Sequence, residues 1–130
     1  MSDTYILDDE NHVIPADLMT WSHFLHDHKR RIVKQTTTRF HWVSTVFLGL
    51  NYRFMGEGPP VVFETMTFAR EEKIKEIFGR LMRIREEADD VDHGFGRHCS
   101  WDDALTFHDT VVSRLRRAER KAVEMARATT

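Results

Sequence analysis

Eight histidines and a single cysteine are the residues best equipped for chemistry in this 130-residue chain. His23 and His26 stand three apart in a segment of helical spacing. His93, His98 and Cys99 share one glycine-containing stretch, and His108 adjoins Asp109. Zinc needs convergent nitrogen and sulfur donors, usually from a compact C-x-x-C or H-x-x-x-H pair, and neither occurs. His23 and His26 therefore read as surface or half-buried residues of an amphipathic helix, and no metal or cofactor is expected. Cys99 beside His98 could supply a nucleophile and a base, but loop neighbours seldom orient towards each other, and G-x-S-x-G is missing. "HGFGRHC" holds only G-x-G with no strand-to-helix pattern, too little for a phosphate-cradling loop. Glu57 and Glu64 near Arg53 could form an acid–base group, although carboxylates in such a loop are ordinarily solvated. No nucleophile–base pair assembles, so the reading is a non-enzymatic protein.

The stretch "NYRFMGEGPP" is the more informative feature. Asn51, Tyr52, Arg53, Phe54 and Met55 combine aromatic and apolar area with one charge, the composition enriched at protein-interface hot spots. Its ten residues exceed the usual hairpin connection, and long loops are disproportionately functional. The alternative is that the aromatics fold back and plug the end of a sheet. A second surface candidate is the basic C-terminal segment, where Arg116, Arg120 and Arg127 fall roughly on one helical face. Glu119 and Glu124 interrupt that face, and cations also complement a helix C-terminus. Nucleic acid is thus the less favoured partner. The C-terminal cations face an N-terminal segment with Asp3, Asp8, Asp9, Glu10 and Asp17 and no Lys or Arg before residue 20, a polarity that could drive head-to-tail self-association.

The elements that must position these residues follow from periodicity. "TYIL" and "HVI", split by "DDEN", predict a small N-terminal hairpin closed by Pro15. Asp17 caps a helix with Leu18, Trp21, Phe24, Leu25 and His28 at helical spacing, ending near residues 29–30. β-branched and aromatic residues then predict strands over residues 32–36, 40–50 and 61–68, with Pro59 and Pro60 delaying the third. Phe40, Trp42, Val46 and Leu48 share one face of the long strand, with Val43 and Phe47 on the other, as in a central strand covered on part of each side. From Arg70 to Glu87 a stripe of Ile74, Ile77, Phe78, Leu81 and Ile84 predicts a helix. A glycine-containing loop follows. Ser100 with Asp103 predicts the capped start of a final helix with Trp101, Leu105, Phe107, Val111, Val112 and Leu115 inward. The expected fold is α+β: one domain over residues 1–130, with an antiparallel sheet of three to five strands packed by about three helices.

Composition bounds the class. A chain that is 41% apolar can bury a core, and 31% charged residues with a net charge of −2 suit a soluble protein. The lone cysteine fits a reducing compartment, the acidic start lacks the pattern of a signal peptide, and no apolar run approaches a membrane span. A cytoplasmic protein without a membrane partner is expected.

"VSTVFLGL", a short polar loop, "GPP" and "VVFETM", together with "YILD…VIP", "DLMTW" and "SWDDA", resemble a family of small uncharacterised bacteriophage and prophage proteins. The likeness spans most of the chain; residues 70–96 look longer than the family's usual connection. It implies phage origin and action in the host cytoplasm, and no chemistry. The expected function is that of a non-enzymatic phage accessory protein that binds and modulates a host macromolecule, with a host protein the expected partner and an anti-defence inhibitor one form of it. The alternatives are sequestration of a nucleotide or other small anion, through Arg53 or the C-terminal arginines, and an enzyme whose site is dispersed.

Overall fold

In the computed structural model, residues 3–88, 91 and 93–129 are described. The chain opens with the antiparallel pair β1 (Tyr5–Leu7) and β2 (Val13–Pro15). Asp8 holds the turn between them by accepting from the Glu10 and His12 amides at 2.9 and 2.8 Å. Asp17 caps α1 (Leu18–Leu25) through the Thr20 amide, as its position before the apolar spacing requires. The helix is interrupted at residues 26–27, where Asp27 caps the single turn α2 (His28–Arg31). A continuous helix to residue 30 therefore gives way to two short ones.

The centre is a four-stranded antiparallel sheet in the order β3 (Ile32–Thr37), β4 (His41–Phe47), β5 (Phe63–Ala69), β8 (Gly96–His98). β4 lies between two partners, in keeping with apolar groups on both its faces. Ser100 accepts from the Asp103 amide and starts α3 (Trp101–Ala128). This 28-residue helix covers the face that carries Val43, Thr45 and Phe47. Val111, Val112 and Leu115 pack on Val43, while Phe47 and Phe63 stack edge-on at 5.3 Å and continue to Trp101 and Phe24. On the opposite face Trp42 pairs with Phe68, and the Arg85 guanidinium lies 4.7 Å over the indole.

The helix expected from Arg70 to Glu87 is instead a β-hairpin, β6 (Lys73–Ile77) and β7 (Arg80–Ile84). Phe78 and Gly79 both take positive φ, +50° and +76°, the geometry of a two-residue hairpin turn. A glycine there favours the turn and weakens a helix, and the β-branched Ile74, Ile77 and Ile84 tolerate the strand. In "KIKEI" Ile74 and Ile77 stand three apart, a helical spacing that leaves them on opposite faces of the strand, so the apolar pattern points to the wrong element and only the turn speaks for the hairpin. Ile74, Phe78 and Leu81 stay exposed on this ribbon. The fold class stands as α+β, with a 28-residue helix as the main cover of the sheet.

Candidate functional site

Three polar arrangements could carry function: the loop after β4, the core of α3, and the turn before β4. In the loop, Asn51 acts as a clasp. Its Oδ1 accepts from the Arg53 amide at 3.0 Å and from the Val61 amide at 2.9 Å, while the Tyr52 amide donates to the Val61 carbonyl at 2.8 Å. Arg53 folds back and donates from Nε and Nη2 to the Pro59 carbonyl at 3.0 and 2.9 Å. Gly58 takes a φ of +152°, a conformation that L side chains rarely adopt, so the return path of the loop favours glycine, and a side chain there would also displace the Arg53 guanidinium. Tyr52 is partly covered by Arg97, 4.8 Å over its ring. Phe54 and Met55 are not covered: they are 94% and 76% exposed. The five loop residues therefore divide. Asn51 and Arg53 are structural ties, Tyr52 leans on the sheet, and Phe54 and Met55 face outward.

Within α3, His108 is fully buried and joins the helix to two strands. Its Nε2 lies 2.8 Å from Thr36 Oγ1 and its Nδ1 2.7 Å from Thr45 Oγ1, which contacts Thr65 Oγ1 at 2.6 Å. Burial pushes its pKa below the ordinary imidazole value, with Asp109 opposing and Lys34 assisting. A neutral ring donating from one nitrogen and accepting at the other suits hydroxyls that can do either. This is a helix-to-sheet rivet, since both ring nitrogens are occupied. His98 also titrates low through burial, and its Nδ1 has no hydrogen-bond partner among the described residues. His98 and Cys99 do not form a reactive pair with a base: the Cys99 thiol points to the Pro59 carbonyl at 3.7 Å. Among the described residues no group of three or more His, Cys, Asp or Glu side chains is placed to hold a metal. No described helix is long and apolar enough to cross a membrane.

The turn before β4 is organised by Glu119, a residue that the sequence presents as an interruption of a basic face. It is only 5% exposed. Its carboxylate accepts from Thr38 Oγ1 at 2.8 Å, the Arg39 and Phe40 amides at 3.1 and 2.9 Å, and contacts His41 Nδ1 at 2.7 Å. Burial pushes its pKa up, but the bonds from His41, Phe40, Thr38 and Arg39 outweigh burial and hold it below the usual carboxylate value. The signal for both residues lay in the sequence: His108, Val112, Leu115 and Glu119 follow the apolar helical spacing, so two polar groups sit on the stripe that must be buried.

Arg116, Arg120 and Arg127 do line one cleft, and the structure adds Arg39 from the turn. No protein-family model, no curated protein and no solved structure matches the chain.

Proposed function

We propose that the protein is a non-enzymatic phage accessory protein that acts in the cytoplasm of the infected cell by docking the tip of its 51–58 loop on a host protein. The exposure of Phe54, followed by Met55, carries this reading. An aromatic ring and a thioether held in water gain most by entering an apolar pocket on a partner. The clasp by Asn51 and the fork of Arg53 onto Pro59 hold the loop's base before any partner arrives, which lowers the ordering cost of binding. The resemblance of the central strands to phage proteins supports the setting, and the buried His108 and Glu119 are taken up by hydrogen bonds that tie α3 to the sheet.

A capture experiment tests it. Immobilised wild-type protein is expected to retain a stoichiometric partner from host lysate, and the double variant Phe54→Ser, Met55→Ser is expected to lose it while melting at the same temperature. Arg53→Ala should weaken capture by loosening the display. Retention of the same partner by the double variant would contradict the proposal. Arg53 lends less to small-anion sequestration than its charge suggests, because its Nε–Nη2 edge is held on the Pro59 carbonyl.

A further inference from the structure

The turn held by Glu119 is where three clefts meet. The first, of about 410 Å³, is walled by Phe40, Val111, Leu115, Ala118 and Ala122. The second, of about 470 Å³, is lined by Arg39, Arg116, Arg120 and Arg127. The third lies among Arg39, Phe40, Arg70 and Lys73. Phe40 borders the first and third, and Arg39 borders the second and third. One dipeptide thus joins an apolar hollow to two cationic ones.

We propose that this junction binds a nucleotide unit. The base lies against Phe40 at the mouth of the apolar hollow, and the phosphate is held by Arg39 and Arg70, with Arg116 and Arg120 receiving further phosphates. Four observations carry it. The hollow falls within the roughly 300–1,000 Å³ of ordinary small-ligand sites. Phe40 is 49% exposed, with the Arg39 guanidinium 5.6 Å over its ring, a platform open to stacking. Among the described residues, Arg39, Arg70, Arg116 and Arg120 have no carboxylate within ion-pair distance. The nearest candidate to neutralise them, Glu119, already accepts from Thr38, Arg39 and Phe40 and contacts His41. Glu71 and Glu124 line the same clefts, so cations outnumber the remaining carboxylates without being alone. Guanidinium forks match phosphate oxygens in geometry as well as charge.

The unit could be a free nucleotide or part of a single strand, and the two sources differ in reach. A free nucleotide monophosphate engages Phe40, Arg39 and Arg70, whereas a strand also follows Arg116 and Arg120. Full-length protein is therefore titrated with purine nucleoside mono- and diphosphates, with a labelled single-stranded DNA of about 12 nucleotides, and with inorganic phosphate. Saturable binding that weakens with added salt is expected for a nucleotide, a strand or both. Phe40→Ala and Arg39→Gln should each weaken it by about tenfold or more. Arg39→Gln should melt unchanged because its side chain is exposed, and Phe40→Ala, at a half-exposed ring, should lower the melting point only modestly while the fold is kept. Loss of single-strand binding on Arg116→Gln with Arg120→Gln, with monophosphate binding unchanged or absent, identifies the strand; indifference of all bound probes to that pair identifies the free nucleotide. Phe54→Ser, Met55→Ser should leave this binding intact, separating it from the docking loop. The proposal is overturned if no probe binds, if Phe40→Ala and Arg39→Gln change nothing, or if inorganic phosphate binds as well as the nucleotides.

Discussion

The connections at the two ends of β4 solve the same problem in opposite ways. The turn before it, residues 38–40, is held from a distance: the carboxylate of Glu119, about eighty positions along the chain, takes the hydroxyl of Thr38 and the amides of Arg39 and Phe40. The loop after it, residues 51–58, is held by its own members, with Asn51 closing onto residues 53 and 61 and Arg53 closing onto Pro59. A turn pinned remotely is as ordered as the docking of α3 and reports on the whole fold. A self-tied loop can present Phe54 and Met55 to a partner without drawing on the core. Both connections expose an aromatic, Phe40 on the first and Phe54 on the second, but the backbone that carries Phe40 is tied to α3, whereas that of the second is tied to its own strand ends.

The largest expected effect is on the remote anchor. Glu119→Ala leaves two amides, a hydroxyl and His41 without their acceptor, and should cost about 3–5 kcal/mol, the scale for removing one partner of a buried ionic network. Chemical denaturation checks it; a loss as small as that of a surface residue would break the comparison. His108→Ala should follow at about 3 kcal/mol, from a cavity and two hydroxyls deprived of a ring nitrogen.

Acid should expose the same two residues in order. His108 titrates below the ordinary imidazole value near 6.5, so as pH falls through that value the unfolded chain takes up the proton first and stability declines. Glu119 is likewise held below the usual carboxylate value near 4.5, so its contribution is present above that pH and lost on further acidification. Melting temperature should therefore fall in two stages, and His108→Ala should shrink the upper one, leaving the share of His98, whose pKa burial also lowers. A flat profile between pH 7 and 5 (approximate bounds set by the imidazole range) would contradict the neutral, buried histidine.

The self-tied loop should give the smallest stability effects. Asn51→Ala removes one acceptor serving two amides and should cost about 1–2 kcal/mol, with faster hydrogen exchange at residues 53 and 61 and no change at residues 39 and 40. Exchange that quickened at both ends of β4 would show that the two connections are coupled after all.

How far the sequence revealed this follows the same division. Local chemistry was readable: Asp17 and Ser100 cap the helices that their positions announce, and the β-branched runs form β3, β4 and β5. The hairpin from Lys73 to Ile84 was hidden, because Ile74, Ile77, Leu81 and Ile84 follow helical spacing and divide between the two faces of the ribbon, and only the Phe78–Gly79 turn announces it. β8, three residues long, carries too little pattern to announce itself. The long-range ties are a different case. Glu119 and His108 stand on the apolar stripe of α3, which marks them as buried and paired, but periodicity cannot say with whom. The partners, Thr36, Thr38, Thr45 and His41, are fixed only when the helix crosses the sheet.

The central claim, that the tip of the 51–58 loop is the contact surface, is tested most directly by photocrosslinking in infected cells. A photoreactive side chain replaces Phe54 in one variant and Phe78 in another; the second position is equally exposed, but at the tip of the β6–β7 ribbon. One discrete crosslinked adduct with a host protein from position 54, and none from position 78, is the predicted result. No adduct at 54, or the same adduct from both positions, would contradict it.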